Sequence, residues 1–229
     1  MPPGFGSLLL ASLVWFGIHP LVAGSRLRSV LVARLGENAF RGLFSALSLG
    51  ALVWVVRAYA EAPFWPVWFA PRPIRWLPLL VMPWALILLV GAFTVPNPTA
   101  VSGEKALGSE SAARGVLRIT RHPFLWAVVL WAVVHMLVNG DVASLLFFGS
   151  FAATAWVGTF DIDRKRSAHS PSEWQAYRSQ TSSVPFGALL EGRNRLVARE
   201  LLVPVVVGLV VTAGLLVFHG SLFGAPALP

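Results

Sequence analysis

The chain has 229 residues, of which 56% are hydrophobic and only 12% charged, and its mean hydropathy is +0.70. These proportions belong to a polytopic membrane protein and exclude an ordinary soluble domain. The absence of cysteine excludes disulfides, thiolate metal ligands and covalent haem attachment through C-x-x-C-H, and the net charge of +8 lies in connections between apolar segments, where it encodes membrane orientation rather than a nucleic-acid surface.

Six apolar segments predict an all-α fold, a polytopic bundle of about six transmembrane helices at 5–23, 40–59, 77–95, 123–138, 142–160 and 201–219. No positively charged stretch precedes Ser7-Leu8-Leu9-Leu10, and Val22-Ala23-Gly24 matches a cleavage site poorly, so the first segment is expected to be a retained helix. Pro78, Pro83 and Pro204 fall near helix starts, where proline is tolerated. Asn139-Gly140-Asp141 is a tight turn signal that predicts an antiparallel hairpin of the fourth and fifth helices.

The basic residues choose an orientation. Fifteen lie in or beside the odd-numbered connections and three, Arg57, Arg72 and Arg75, on the other side. The positive-inside rule then puts the odd connections in the cytoplasm and both termini outside it. A bacterial-type inner (cytoplasmic) membrane is the expected location of this multi-pass chain. The whole chain, 1–229, reads as one transmembrane domain with a cytoplasmic loop at about 161–200.

The second connection is aromatic, with Phe64, Trp65, Trp68, Phe69 and Trp76 between prolines. This pattern suits an interfacial belt, or a wall for an elongated apolar ligand. In the fifth connection, residues 171–178 predict an amphipathic helix. Ser170 or Ser172 could cap it, and Trp174, Tyr177 and Arg178 are expected at the headgroups.

Chemistry rests on the histidines. Thr120-Arg121-His122-Pro123 opens the fourth segment, and His135 follows His122 by thirteen residues inside an uncharged apolar run. At helical pitch the two stand roughly 20 Å apart, so they cannot share one small site. An ionisable residue within a membrane helix is costly unless partnered. His135 reads either as a structural histidine bonded to neighbouring backbone or as a cofactor ligand, since neutral imidazole is a common axial ligand of haem. His19 precedes Pro20 and is followed by Gly24, Arg26 and Arg28, which fits a bent helix end or a ligand with arginines near a cofactor carboxylate. His122 with Arg118 and Arg121 makes a helix entry suited to a propionate, phosphate or carboxylate, or a plain surface entry motif. His169 reads as a surface residue, and His219 as a candidate partner for His135. Pitch counting leaves His19 and His135 about 10 Å apart in depth, a gap that tilt or the bend at Pro20 would have to close. Asp161 and Asp163 leave the fifth segment beside Arg164-Lys165-Arg166, and no carboxylate pair is placed for acid–base work. With no H-E-x-x-H, G-x-S-x-G or phosphate-cradling glycine loop, the chain does not read as a hydrolase, and cofactor chemistry fits better.

The blocks Ala39-Phe40-Arg41-Gly42-Leu43-Phe44-Ser45-Ala46-Leu47-Ser48-Leu49, Gly115-Val116-Leu117-Arg118-Ile119-Thr120-Arg121-His122-Pro123, Trp131 to His135, and Thr181-Ser182-Ser183-Val184-Pro185-Phe186-Gly187-Ala188-Leu189-Leu190-Glu191-Gly192-Arg193 resemble the NnrU family, and within it the 15-cis-ζ-carotene isomerases. The resemblance covers most of the chain. It implies a membrane protein holding haem b non-covalently, with axial ligands at the positions of His19 and His135. The ferrous haem would be the active form, reduced by an unknown electron donor. The reaction would turn the central cis double bond of tri-cis-ζ-carotene to trans, on a lipid-soluble substrate that stays among the membrane lipids. Within that picture His122, Arg118 and Arg121 would lie on the propionate side. Plant isomerases carry a cysteine one turn before the second histidine; here that position is Ala132, so a ligand switch through it is unavailable. The family name also attaches to denitrification and nitric oxide metabolism, which leaves a haem-binding role without isomerisation. Arg121-His122-Pro123, Glu173, Tyr177 and Val184-Pro185-Phe186 further resemble the membrane methyltransferases of the isoprenylcysteine carboxyl methyltransferase type, which use S-adenosylmethionine. Leu125 and Ala127 stand where those enzymes carry tyrosine and glycine, and the paired glutamates are missing.

Overall fold

Aliphatic runs unbroken by charge set the helices, and proline, glycine and polar capping groups end them. A computed structural model describes residues 4–109 and 112–228, with helices and no strand among the described residues. Helix α1 (Gly6–Ile18) continues into a widened π-helical turn, His19–Ala23, followed by α2 (Arg26–Leu35) and α3 (Glu37–Ala60). The short α4 (Arg72–Arg75) leads into α5 (Leu77–Thr94). After two 3-10 turns come α6 (Pro123–Asn139), α7 (Val142–His169), α8 (Pro171–Gln180), α9 (Gly187–Leu190) and α10 (Ala198–Phe223). Five stretches, 6–23, 37–60, 72–94, 142–169 and 198–223, are long and apolar enough to cross a membrane, and α6 is a sixth apolar helix of 17 residues. The expected helical membrane architecture is therefore present.

Two elements differ from the sequence expectation. Residues 26–35 form a helix where a bare connection was expected. Ser25 Oγ accepts the Leu27 N–H at 3.1 Å, and Glu37 pairs with Arg28 at 2.6 Å and Arg41 at 2.7 Å. Helix α7 runs nine residues past the expected end at 160. Hydropathy fades at Asp161, but backbone hydrogen bonding does not depend on side-chain charge once the helix has left an apolar layer.

The chain divides into two compact units. The first comprises the residues through Ile74 together with Ala132–Asp161, and the second comprises Arg75–Trp131 with the chain from Ile162 onward. In the first unit α1 packs on α3, burying Phe5, Leu8 and Ala11 with Ala51, Val55 and Ala58, and Trp54 Nε1–H donates to Ser7 Oγ at 3.3 Å. The α6–α7 corner belongs to this unit. Gly140 takes a left-handed φ of +64°, and a Cβ there would collide with the Trp68 carbonyl. Its own carbonyl accepts the N–H groups of Val67 and Trp68 at 2.8 and 3.0 Å, Val142 N–H donates to Trp65 O at 3.0 Å, and Trp68 Nε1–H donates to Leu137 O at 3.0 Å. The aromatic connection is thus more than a belt: it is bonded to the corner between the two helices.

In the second unit α5 packs on α10, with Leu88, Val116, Ile119 and Ala127 in the core. Gly208 permits the approach, since a Cβ there would lie 2.8 Å from Ile87 Cγ1 and 3.0 Å from its Cα.

Candidate functional site

The His19 environment follows from Pro20. Proline has no N–H, so the α-helical ladder cannot continue through position 20. The His19 N–H bonds to the Phe16 carbonyl instead of the one four residues back, and the Gly24 N–H closes the wide turn onto the His19 carbonyl at 2.7 Å. The Trp15 carbonyl is left for the side chain, and His19 Nδ1–H donates to it at 2.7 Å. A carbonyl only accepts, so the bond fixes the tautomer: the proton is on Nδ1 and the lone pair on Nε2. This is the orientation device seen behind metal-bound histidines, where the non-ligating nitrogen donates to a carbonyl. The imidazole is half-buried between Trp15, at 4.7 Å between ring centres, and Phe44, edge-on at 5.7 Å.

His135 lies in the same unit, half-buried on α6 and stacked on Phe148 of α7 at 4.9 Å with 24° between the planes. A continuous series of ring contacts joins the two histidines. Trp15 touches Phe151 at 4.7 Å, Phe151 touches Phe147 at 5.0 Å, and Phe147 meets Phe148 at 5.0 Å. The ring contacts are aromatic, and Trp15 Nε1–H is buried without a hydrogen-bond partner, as are Ser12 Oγ on α1 and Ser48 Oγ on α3. Of the basic neighbours of His19, Arg28 is held by Glu37 and lies 5.4 Å over the Phe40 ring.

His122, Arg118 and Arg121 lie in the second unit, in a polar knot. Arg121 sends Nε–H to both Asp163 oxygens at 3.1 Å and Nη2–H to Oδ2 at 2.6 Å, and His122 Nε2–H donates to Asp163 Oδ1 at 2.7 Å. Arg121 also lies 5.8 Å over the Trp174 ring. Burial lowers the His122 pKa below the ordinary histidine value, outweighing the hydrogen bond and charge of Asp163, which pull it upward. With Nε2 protonated toward Asp163, the buried Nδ1 has no partner. Arg118 is engaged separately, by Glu200 at 2.8 Å and Asn194 at 2.6 Å.

The segment 181–186 is stitched to the same knot. Ser182 O accepts Arg121 N–H at 2.9 Å, Ser183 O accepts Thr120 Oγ1–H at 2.8 Å and Trp126 Nε1–H at 2.7 Å, and Phe186 N–H donates to Ile119 O at 2.7 Å. Two sequence blocks about sixty residues apart are therefore one structural object.

The other residues singled out in the sequence fall as follows. His169 is exposed at the end of α7. His219 Nδ1–H donates to Ala225 O at 2.7 Å. Helix α8 forms as expected, with Ser170 at its N-cap making no side-chain cap bond. Its Trp174 and Tyr177 are not at headgroups: they are 1% and 3% exposed, packed against Leu107, Ala112 and Ala113. Burial raises the Tyr177 pKa above the usual phenol value. An amphipathic stripe reports only that one face is covered, and here protein covers it.

The residues whose contacts with the histidines sequence reasoning did not foresee are Asp163, Trp15 and Phe148. Asp163 was placed only at the end of the fifth segment beside Arg164-Lys165-Arg166, with no link to His122. The signal for Trp15 was the His-Pro pair, because a missing N–H at position 20 frees a carbonyl one turn before the histidine.

The NnrU protein family matches residues 7–227 of this chain. Among curated proteins, the 15-cis-zeta-carotene isomerase, chloroplastic, of Arabidopsis thaliana is 26% identical over 195 residues, covering 82% of this chain and 51% of that protein. The Zea mays protein of the same name is 24% identical over 196 residues, covering 82% and 52%. The chain spans about half the length of the curated relatives it matches. No solved structure matches.

Proposed function

The chain belongs to the NnrU family, and from that premise we propose that it is a haem-dependent membrane isomerase that turns the 15-cis double bond of tri-cis-ζ-carotene to trans. The observation that carries the reading is the His19 geometry: an imidazole whose Nδ1–H is tied to a backbone carbonyl and whose Nε2 lone pair is left for a metal. The relatives' names supply the reaction.

The residues fit a non-covalent haem b. His19 and His135 are the imidazole donors, no cysteine competes with them, and the surroundings are aromatic. The orphaned Trp15 Nε1–H offers a hydrogen bond to a polar group from outside the chain. A ferrous haem held there would supply electron density able to lower the order of the central double bond without net oxidation or reduction. The protein's part is physical. His19 and His135 would hold the metal, Trp15 and Pro20 fix the His19 tautomer, and the ring series from Trp15 to Phe148 would offer an apolar surface to a polyene. No proton transfer is required. A lipid-soluble substrate, an external electron donor and a bacterial-type inner membrane complete the reading. Arg118 and Arg121 have no assigned role at the haem, since Glu200 and Asp163 already engage them.

The test is an absorption spectrum of protein purified in mild detergent after expression with ample haem, oxidised and dithionite-reduced. Wild type is expected to show low-spin haem b. His19→Ala and His135→Ala are expected to lose the haem or convert it to high spin while remaining folded. In cells that accumulate tri-cis-ζ-carotene, wild type is expected to restore the 15-trans product and both variants to fail. Wild type without haem would overturn the reading. Haem without carotenoid turnover would leave the nitrogen-oxide role of the family.

A further inference from the structure

Several hydroxyls on the long apolar helices bond back to their own helix. Ser150 donates to Phe147 O at 2.7 Å, Thr154 to Ser150 O at 2.7 Å, Thr159 to Trp156 O at 2.8 Å and Thr212 to Gly208 O at 2.8 Å. A serine or threonine is ordinarily satisfied in this way where lipid offers it nothing. Ser12 on α1 and Ser48 on α3 do otherwise. Their hydroxyl oxygens are buried with no hydrogen-bond partner, and the Trp15 indole N–H is in the same condition.

The three groups belong to one seam. On α1 the positions 5, 8, 12, 15 and 19 recur at alternating steps of three and four, and on α3 the positions 44, 48, 51, 55 and 58 do the same. That spacing lets two helices pack along a common stripe. The pair runs antiparallel, since Ser7 meets Trp54 near one end and His19 meets Phe44 near the other. Ser48 stands one turn from Phe44, and Trp15 one turn from His19 in the same direction, so the two share a level. Ser12 follows one turn further along the same face. The seam is therefore divided. Phe5, Leu8 and Ala11 meet Ala51, Val55 and Ala58 in a closed apolar half. The half that leads to His19 gathers two hydroxyls and an indole N–H.

This donor set defines its guest. An indole N–H only donates, whereas a hydroxyl both donates and accepts. The guest must accept from Trp15, exchange hydrogen bonds with two hydroxyls and fit between packed helices. Water meets all three demands, and about three partners is usual for a buried water. A hydrocarbon meets none of the polar ones, and each group left unbonded in an apolar layer bears its full desolvation cost.

We propose that Ser12, Trp15 and Ser48 form a binding site for an internal water molecule between α1 and α3, one helical turn from His19. The site does not depend on a metal at His19. Its test is nuclear magnetic resonance of protein labelled at the indole nitrogens, purified in mild detergent and reduced with dithionite, so that any low-spin haem is diamagnetic. Trp15→Phe identifies the Trp15 signal among those of the ten tryptophans. Wild type is expected to show a dipolar cross-peak between the Trp15 indole N–H and water, of the sign that excludes exchange with bulk. Ser12→Ala and Ser48→Ala are each expected to weaken it and the double variant to lose it, while Ser45→Ala, at an exposed position of α3, leaves it intact. The double variant is also expected to melt below wild type, because two partners of a bridging molecule are gone. No water cross-peak in wild type would overturn the proposal, whatever the variants do, and would mean that the hydroxyls turn onto the Leu8 and Phe44 carbonyls. Cross-peaks to lipid or detergent protons in its place would give the site to the polar end of an amphiphile and overturn the assignment of water. A double variant that melts above wild type would overturn it too, since removing truly unbonded hydroxyls stabilises.

Discussion

The two units treat histidine in opposite ways. In the second unit His122 is closed from within: its Nε2–H goes to Asp163, the same carboxylate takes Arg121, and the imidazole is 1% exposed. In the first unit His19 gives its Nδ1–H to a carbonyl of its own helix, which puts the lone pair on Nε2. The difference is one of bookkeeping by atom. A histidine paired through Nε2 to a carboxylate that also neutralises an arginine completes a structure. One tied back through Nδ1 at a proline break has its tautomer fixed and its Nε2 lone pair outside that bond. Both carry proline immediately after them in sequence, yet Pro123 starts α6 while Pro20 interrupts a helix already formed.

The contrast breaks most sharply at Asp163. Replacing it with alanine leaves the buried Arg121 without its carboxylate, with only the Thr181 carbonyl at 3.4 Å and the Trp174 ring beside its guanidinium, and leaves the buried imidazole without its Asp163 acceptor. The expected loss of stability is about 3–5 kcal/mol, the usual result of removing one partner of a buried pair. Denaturant or thermal unfolding in detergent measures it. If the knot is structural, the fraction that remains folded should still carry a wild-type haem spectrum. Loss of haem at undiminished stability would show that the second unit serves the cofactor directly and would abolish the distinction.

Legibility followed sequence distance. The Asn139-Gly140-Asp141 corner was readable because a turn is written in adjacent residues, and the helices because lipid solvent demands long apolar runs. The partner of His122 was not readable: 41 residues separate it from Asp163, and a carboxylate among arginines looks solvated until something folds over it. The headgroup position expected for Trp174 and Tyr177 failed for a related reason. Their spacing on α8 defines a face, and only tertiary packing decides whether lipid or the loop around Leu107 covers it. His19 and His135 could be singled out as candidates, but the carbonyl behind one and the ring stacked on the other depend on a helix break and on contacts between helices.

Pro20 tests the other half of the contrast. In Pro20→Ala the restored N–H at position 20 lets the ladder close, and the His19 N–H competes with the imidazole for the Trp15 carbonyl. Helix stability should hold or improve, since proline is removed from an interrupted helix. Haem affinity should fall about tenfold to a hundredfold, the range typical of disturbing the group behind a metal-bound histidine. Haem titration into apo protein reads it. An unchanged affinity would mean that the wide turn is only the consequence of a proline and not a ligand-orienting device.

The smallest expected effect is a slope. Burial holds the folded-state pKa of His122 below 6.5, its ordinary value, despite the pull of Asp163. The unfolded chain therefore takes up a proton first as pH falls, and linkage gives the sign. The contribution of neutral His122 is fully present above 6.5 and is lost progressively as the pH drops from there through the folded-state value. His122→Gln keeps a donor for Asp163 but does not titrate, so its stability should decline less steeply than wild type between pH 7 and pH 5. Unfolding of the two proteins across that interval compares the slopes directly. A steeper fall in the variant would mean that protonated His122 is welcomed by Asp163 in the folded state. The knot would then be an ion pair waiting for acid rather than a closed hydrogen-bonded structure at neutral pH.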